Sequence, residues 1–421
     1  SLPTFRSEFL ERIAGISQSR DFVFFSLNPE LQTYAHSLAQ SSKAPHVAIV
    51  AMDPSNGRVL AMADRSDSKQ DLSLYSGFPA ASVFKIVTSA AALEKGAIEP
   101  DTKINFRGGT YTLNQWNYVP DSRRDRLSMS VSEALGKSCN PVFGRIGLRY
   151  VGASLLSASA QSFGFGADLR FNVPLEPSTA TIPFDDYGLS RTSAGFGAVT
   201  LSPVHAAALA AGLAHHGLMP KPILIDKIIS PAGAVEYQAK PEFLKRMVSP
   251  DVSQKLLNMM EYTTTMGTSR HEFMRKTRPV FPGLRVAAKT GTLKGTDPEG
   301  ITNWFVAAAP IDNPALALAV VVVNPGSPSG KASHLGRLLI QKFFGVTSSV
   351  SEDKASHKTT RKKYSHYATK KKVTKYATKK VVSKKAPAKA PAAKKITSKK
   401  QTKPLKKSQK SVKPKTASPS R

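Results

Sequence analysis

The sequence predicts an α/β protein of the α+β type, in which a central antiparallel sheet of about five strands is flanked by helices and joined to a mainly helical lobe. Apolar runs typical of strands lie towards both ends of the globular part of the chain, and helical patterns fill the region between them. The first and last strands are therefore expected to meet in one sheet. A binding site is expected in the cleft between the two lobes.

The first predicted elements are a helix and a hairpin. Residues 29–40 (PELQTYAHSLAQ) have a helical pattern, and residues 46–53 and 58–64 are apolar runs joined by Pro-Ser-Asn-Gly. Proline, asparagine and glycine favour a tight turn. The two apolar runs are therefore predicted to be the antiparallel strands of a β-hairpin.

The interior, residues 83–280, is mostly helical in pattern. Within it, Ser202-Pro203 supplies a capping residue and then a proline at the first helical position, ahead of VHAAALAAGLAHHG. Three strand-like runs follow the interior, and a final amphipathic segment predicts a helix that packs on the sheet. These four segments are residues 285–293, 302–309, 315–323 and 333–345.

Positive charge is concentrated in the last part of the chain. The formal net charge is +31, but residues 351–421 hold 25 Lys and Arg against two acids and contribute +23 of it. This segment is rich in Lys, Ala, Pro, Ser and Thr, and it cannot bury enough apolar surface to fold. We therefore expect a disordered Lys-rich tail over residues 347–421.

The remaining composition excludes several classes of site. Cys139 is the single cysteine, so it forms no intramolecular disulfide or multi-cysteine metal site, and we expect it to be a packing residue. The nine histidines are scattered, and no metal or cofactor is expected. The longest purely apolar run, residues 315–323, is far shorter than the ~20 residues that cross a bilayer, so no membrane anchor is expected in this chain. The start, Ser-Leu-Pro-Thr, indicates a trimmed or processed form.

A serine and a lysine open an apolar segment, SVFKIVTSAAALEKG. If this segment is helical, Ser82 and Lys85 lie at positions i and i+3, and their side chains can touch. The apolar neighbours should lower the pKa of Lys85 towards the range of a general base, which would activate Ser82 as a nucleophile. The alternative is that Ser82 only caps the helix and Lys85 extends to solvent.

Two further motifs carry polar side chains. Residues 138–140 (SCN) follow an amphipathic segment, and the proline after them indicates a helix end or loop where side chains can face a cleft. Residues 289–292 (KTGT) lie in a strand-like run, where the glycine lets a ligand approach the backbone. Taken alone, each motif could also be purely structural.

The order SxxK, SxN, KTG resembles the penicillin-binding transpeptidases and their serine β-lactamase relatives. The segments AIVAMDPSNGRVLAMA, TLSPVHAAALAAGLAHHG, MGTS and TNWFVAAAP are similar to the same domain. The resemblance implies a lead-in over residues 1–23, a penicillin-binding transpeptidase domain over residues 24–346 and the tail over residues 347–421.

The resemblance also implies a function and roles for the motif residues. The expected enzyme is a peptidoglycan D,D-transpeptidase, which cross-links peptidoglycan stem peptides and is inhibited by β-lactams. Ser82 would attack the D-Ala-D-Ala carbonyl, and Lys85 would act as its base. Ser138 would relay a proton towards the leaving group, while Asn140 would hold Lys85 and the substrate backbone.

The third motif is expected to bind the substrate. Lys289, Thr290, Gly291 and Thr292 match the strand edge that receives the terminal carboxylate of the stem peptide or of a β-lactam. The backbone N–H groups of Ser82 and Thr292 would form the oxyanion hole.

Other functions stay open at this point. A β-lactamase is the nearest enzymatic alternative, but SCN differs from the SxV of class D enzymes, and no ExxxN element supplies the deacylating glutamate of class A. Slow deacylation is therefore expected. A D,D-carboxypeptidase, which uses water as acceptor, has the same motifs. A non-catalytic protein that senses β-lactams or muropeptides, or that binds the envelope, is the alternative from another class.

The tail and the resemblance together suggest a location. An enzyme of this kind works at the cell envelope, in the periplasm or otherwise outside the cytoplasm, although no targeting segment is visible. The available polyanions there are teichoic acids, lipopolysaccharide and wall carboxylates. We therefore expect the basic tail to bind envelope polyanions in preference to nucleic acid.

Overall fold

The structure, a computed structural model, describes residues 5–6, 14–68, 71–326 and 331–346. The predicted tail lies outside the described residues, as does part of the predicted lead-in. The strands described are β1 (Phe5–Arg6), β2 (Ala14–Ile16), β3 (Phe22–Phe25), β4 (His46–Met52), β5 (Val59–Ser66), β6 (Lys103–Phe106), β7 (Leu127–Ser130), β8 (Leu218–Pro220), β9 (Ile225–Ile229), β10 (Val235–Gln238), β11 (Phe243–Arg246), β12 (Met274–Arg275), β13 (Arg278–Pro279), β14 (Ala287–Thr296), β15 (Glu299–Ala309) and β16 (Leu316–Asn324). The α-helices described are α1 (Pro29–Ser41), α2 (Lys85–Glu94), α3 (Val131–Lys137), α4 (Asn140–Ile146), α5 (Ala153–Ser162), α6 (Asp186–Ser193), α7 (Pro203–Ala214), α8 (Pro250–Thr265), α9 (Arg270–Phe273) and α10 (Ala332–Phe344).

The main sheet is antiparallel and has five strands in the order β14-β15-β16-β4-β5. Its central pair joins strands from the two ends of the domain, because His46 of β4 lies opposite Val323 of β16 and Met52 lies opposite Ala317. The β4–β5 hairpin and the three later strands are those that the sequence predicts. The prediction of a five-stranded sheet closed by its first and last strands is thus confirmed.

The sheet is the middle layer of the domain. Successive side chains of a strand point to opposite faces, and β4 follows this rule closely. Val47 and Ile49 pack into a core with α1 and α10, whereas Ala48 and Val50 face a larger core that contains the helical lobe. Every residue of β4 is buried, which explains its continuous apolar pattern.

Helix α7 connects the sheet to the helical lobe. All of its residues are buried, and it packs against β4, β15 and β16. A helix that is apolar all round is stable only when it is covered on all sides. Its start is the predicted one, since the Ser202 hydroxyl accepts a hydrogen bond from the His205 backbone N–H at 3.1 Å.

The interior is less helical than its sequence pattern indicates. A second five-stranded sheet, in the order β1-β2-β3-β9-β10, lies outside the predicted elements. Its strands are short, and β10 pairs with β9 through a bulge between Val235 and Tyr237. Strands of three to five residues are too short to show a clear period in the sequence, and β10 is also mostly exposed, so the sequence signal for this sheet is weak. In the part of the chain that the structure describes, no helix has the length and apolar character to span a membrane.

Candidate active site

A cavity of about 500 Å³ opens where the main sheet meets the helical lobe. Five of the eight predicted site residues line it, namely Ser82, Ser138, Asn140, Thr290 and Thr292. The other three lie beside it, since Lys85 and Lys289 hydrogen-bond to lining residues, and Gly291 separates the two threonines. The fold therefore brings all three motifs to one place, although they are separated widely along the chain.

Ser82 lies in a single 3-10 turn, Ala81–Phe84, that continues directly into α2. The preceding residue, Ala81, has a positive φ of 50°, a conformation that costs a non-glycine residue about 1–3 kcal/mol. Gly195 makes this path possible, because a Cβ there would lie 2.3 Å from the carbonyl oxygen of Ala81. The position of Ser82 is thus fixed by a strained and tightly packed backbone.

Lys85 is fully buried and its amine contacts three oxygens. Its Nζ lies 2.7 Å from Ser82 Oγ, 2.7 Å from Asn140 Oδ1 and 2.6 Å from the Ala194 carbonyl oxygen. Burial, and then the charge of Lys289, hold the pKa of Lys85 well below its ordinary value. A neutral amine has two N–H donors, which Asn140 and Ala194 accept. Its lone pair then faces the Ser82 hydroxyl.

Asn140 is oriented by a second hydrogen bond. Its Nδ2 donates to the Tyr111 carbonyl oxygen at 2.7 Å, so the amide oxygen has to face Lys85. Ser138 ends α3 in the left-handed conformation with φ 58°, and Asn140 begins α4. This sharp change of direction between two helices brings both side chains to the cavity.

Cys139 lies between these two residues but is not available to a ligand. Its side chain is buried, and burial raises the pKa of the thiol to about 11. A thiolate, the nucleophilic form, is therefore scarce at neutral pH. The side chain packs in the larger core, in agreement with the packing role expected from the sequence.

Lys289 approaches the site from β14. Its side chain is fully buried, and Nζ donates to Ser138 Oγ at 3.0 Å and to the Thr290 carbonyl oxygen at 2.7 Å. Burial lowers the pKa of Lys289 to about 7. The site thus contains two Ser–Lys pairs, Ser82 with Lys85 and Ser138 with Lys289.

The edge of β14 supplies two hydroxyls to the cavity. Thr290 Oγ1 lies 2.5 Å from Thr268 Oγ1, and Thr292 Oγ1 accepts a hydrogen bond from Asn303 Nδ2 at 3.0 Å. These contacts restrict the rotamers of both threonines. The strand edge therefore presents preoriented polar groups next to Ser82.

Close packing explains why residue 291 is a glycine, and the sequence alone does not reveal this packing. A Cβ on Gly291 would lie 3.2 Å from the Cβ of Ala81 and 3.3 Å from the carbonyl oxygen of Ala80. Contacts this short would force the neighbouring backbone to give way. The glycine thus lets β14 approach the segment that carries Ser82.

Sequence reasoning missed several residues of the cavity. Thr268 and Asn303 lie within the segments MGTS and TNWFVAAAP, which the sequence analysis used only as signs of resemblance. Tyr111, Ala194 and Lys331 belong to no motif, because their places depend on tertiary packing. Among the described residues, no three His, Cys, Asp or Glu side chains are grouped so that they could hold a metal ion.

This fold and its paired Ser and Lys residues define the class of serine acyl-transfer enzymes that recognise penicillin. Residues 47–337 match the model of the penicillin binding protein transpeptidase domain, and the chain belongs to that family.

Relatives and solved structures support the same assignment. The chain is 29% identical over 389 residues to the peptidoglycan D,D-transpeptidase PbpA of Mycobacterium tuberculosis, covering 80% of this chain and 76% of the relative. It is 29% identical over 362 residues to the PbpA of Mycolicibacterium smegmatis, covering 76% and 71%. A ceftriaxone acyl-enzyme complex of penicillin-binding protein A from M. tuberculosis superposes with a TM-score of 0.62 at 27% identity, covering 76% of this chain and 79% of that one.

Proposed function

We propose that this protein is a peptidoglycan D,D-transpeptidase that works through an acyl-enzyme on Ser82. Its substrates are stem peptides ending in D-Ala-D-Ala, and β-lactams acylate the same serine. The observation that carries the proposal is the buried Lys85 amine, 2.7 Å from Ser82 Oγ and hydrogen-bonded on its other side to Asn140 and Ala194.

Acylation begins with proton transfer from Ser82 to the neutral amine of Lys85. Ser82 Oγ then bonds to the carbonyl carbon of the penultimate D-alanine and forms a tetrahedral intermediate. The C–N bond breaks as Ser138 gives its proton to the nitrogen of the leaving D-alanine and takes one from the Lys289 ammonium, which contacts it at 3.0 Å. The products are an ester on Ser82 and free D-alanine.

The negative charge on the tetrahedral oxygen needs hydrogen-bond donors. Ser82 and Thr292 both line the cavity, and their backbone N–H groups form the proposed oxyanion hole. Loss of one such donor typically costs about 3–4 kcal/mol of transition-state stabilisation. The strained turn at Ala81 and the close approach at Gly291 set the spacing of these two groups.

Transfer to the acceptor reverses these steps. An amine of a second stem peptide attacks the Ser82 ester and loses a proton to Ser138, which returns its own proton to Lys289. The C–O bond breaks as Ser82 regains its proton from Lys85. The described residues that line the cavity include no Asp or Glu that could activate water. The lining thus lacks the deacylating glutamate of class A β-lactamases, which fits slow hydrolysis of the acyl-enzyme.

Time-resolved intact mass of the protein with benzylpenicillin tests the proposal. We expect a stable adduct of one penicillin on the wild type and none on Ser82→Ala. Thr33→Ala removes the hydroxyl of an exposed residue on α1 and serves as a control. This variant should still form the adduct. Rapid release of penicilloic acid without an adduct would favour a β-lactamase, and the absence of any reaction would favour a non-catalytic binding protein.

The chain acts on material of the cell envelope, and we propose the periplasm or another extracytoplasmic compartment as its location. We also propose that residues 24–346 form the catalytic domain, with a lead-in over residues 1–23. The net charge of +23 in residues 351–421 supports a role for the tail over residues 347–421 in binding envelope polyanions.

A further inference from the structure

The cavity is polar but contains little charge. Among the described residues that line it, Lys331 is the only one with a charged side chain. Lys331 immediately precedes α10 and is exposed. A substrate that ends in a carboxylate therefore meets one accessible cation in this cavity.

Lys289, the lysine of the KTGT motif, is poorly placed for that carboxylate. Its side chain is 0% exposed, and its amine already donates to Ser138 Oγ and to the Thr290 carbonyl oxygen. Burial also lowers its pKa to about 7, so the amine is only partly charged at neutral pH. A ligand carboxylate would have to displace these contacts to reach it.

Asn303 connects the start of α10 to the threonine edge of β14. It donates to Thr292 Oγ1 at 3.0 Å and accepts from the backbone N–H of Ala332, the next residue after Lys331, at 3.1 Å. Asn303 thus joins the residue after Lys331 to the hydroxyl of Thr292. The start of α10 is therefore held in a fixed position relative to the edge of β14.

The amine of Lys331 itself contacts His271. Its Nε2 lies 3.4 Å from Lys331 Nζ, and His271 follows Thr268, whose hydroxyl touches Thr290, by three residues. Burial, and then the Lys331 charge, lower the pKa of His271. A neutral imidazole accepts a hydrogen bond from the ammonium and helps to position it without cancelling its charge.

No described carboxylate forms an ion pair with Lys331. The nearby acid, Glu272, contacts His334 at 3.0 Å and Arg337 at 3.3 Å through one carboxylate oxygen, and its other oxygen lies 3.5 Å from His271 Nε2. The Lys331 charge is consequently available to an anionic ligand.

We propose that Lys331 supplies the positive charge that binds the C-terminal carboxylate of the D-Ala-D-Ala substrate and the carboxylate of β-lactams. The hydroxyls of Thr290 and Thr292 donate the accompanying hydrogen bonds. Lys289 instead acts on Ser138. This assignment rests on the proposed transpeptidase function and names the residue that selects substrates with a free carboxylate.

The test compares two ligands that differ only in the carboxylate, benzylpenicillin and its methyl ester. The second-order rate constant for acylation is measured for the wild type, Lys331→Met and Lys331→Arg. We expect Lys331→Met to slow acylation by benzylpenicillin about tenfold, the size of a charge-assisted hydrogen bond. Acylation by the methyl ester should be unchanged, and Lys331→Arg should retain most of the rate.

Lys294→Met is the matched control. Lys294 lies on β14, is 72% exposed and pairs with Glu299 at 3.4 Å rather than lining the cavity. The variant removes the same charge and should leave both rate constants unchanged. A general loss of positive charge would instead slow acylation equally in the two variants and would refute the role of Lys331.

The outcomes separate this inference from the proposed function. If the wild type forms the Ser82 adduct but Lys331→Met reacts at the wild-type rate, the inference is wrong and the proposed function stands. An equal loss with benzylpenicillin and its methyl ester also refutes it, because the effect would not depend on the carboxylate. If the wild type forms no adduct with either ligand, both proposals fail together.

Discussion

Two lysines are buried side by side in this site, and they have different hydroxyl partners. Lys85 contacts Ser82, whereas Lys289 contacts Ser138. Burying two charged amines so close together is unfavourable, because each loses hydration and repels the other. The positive charge on Lys289 favours a neutral Lys85, which is the form required of a base. Lys289 therefore helps to set the protonation state of Lys85.

This coupling predicts the pH dependence of acylation. Burial lowers the pKa of Lys289 to about 7, so Lys289 loses its proton as the pH rises through this value. We expect the acylation rate with benzylpenicillin to fall from about pH 7 to about pH 9, as the ammonium that contacts Ser138 is lost. In Lys289→Arg the guanidinium stays charged over this range, and the fall should disappear.

Stopped-flow acylation at constant ionic strength measures both profiles. The exposed Lys294→Met should keep the wild-type profile, because Lys294 lies outside the cavity lining. A wild-type rate that does not change between about pH 6 and about pH 9 would contradict the assigned role of Lys289.

For individual residues, the sequence predicts a contact only where the spacing along one helix brings two side chains together. Positions i and i+3 predict the meeting of Ser82 and Lys85, and the structure brings their polar atoms within 2.7 Å. Lys331 carries no comparable signal. Its place in the cavity depends on Asn303 and His271, which lie 28 and 60 positions before it in the chain.

Helix α4 holds the loop of residues 107–125 through side-chain hydrogen bonds at two positions. Asn140 donates to the Tyr111 carbonyl oxygen at 2.7 Å. Further along α4, Arg145 forms two hydrogen bonds with Asp125, at 2.6 and 2.9 Å, and both side chains are almost fully buried. Arg107 also donates to Asp125 at 2.9 Å. The loop that orients Asn140 is thus closed by a buried ion-pair network.

Removing the central charge of this network should be costly. Asp125→Asn leaves the Arg145 guanidinium buried without its counter-charge, and we expect a loss of about 3–5 kcal/mol in the free energy of unfolding. Burial acts to raise the pKa of Asp125, but hydrogen bonds, foremost from Arg145, outweigh it and leave the pKa lowered. The carboxylate therefore stabilises the fold above its unfolded pKa of about 4, and this contribution is lost as the pH falls through the folded value.

Urea unfolding at neutral and acidic pH measures this effect. The difference between the wild type and Asp125→Asn should shrink as the pH falls towards the folded pKa of Asp125. Asp67→Asn is a charge-matched control, since Asp67 is 57% exposed and pairs with Arg65 at 3.1 Å. It should change stability by less than about 1 kcal/mol. A similar loss of unfolding free energy in Asp125→Asn and Asp67→Asn would show that the buried network stabilises the fold no more than an exposed ion pair does.

For the whole molecule, the main sheet is predictable from the sequence because its strands are long and two of them, β4 and β16, are buried at every residue. β16 reads as a continuous apolar run in sequence and is buried at every residue in the structure. The second sheet was missed because β10 has the sequence VEYQ, is mostly exposed and supplies few apolar residues to a core. The length and burial of a strand thus determine whether its apolar residues form a pattern that can be recognised in the sequence.

The uneven charge of the chain predicts a measurable property of the whole protein. The full chain should be retained on isolated sacculi at low salt and released as salt rises, whereas a chain ending at residue 350 should be retained much less. Retention of the full chain on double-stranded DNA should be weaker at the same salt. Equal, weak retention on both materials would contradict envelope binding.

The pairing of β4 with β16 has a consequence for biosynthesis. The β4–β5 hairpin leaves the ribosome early, but the strand that covers the other edge of β4 ends at Asn324. Until that point has been translated, the apolar edge of β4 has no partner and is open to pairing with other chains. The main sheet therefore cannot be completed until the chain through Asn324 is available, and we expect this pairing of distant segments to form late in folding.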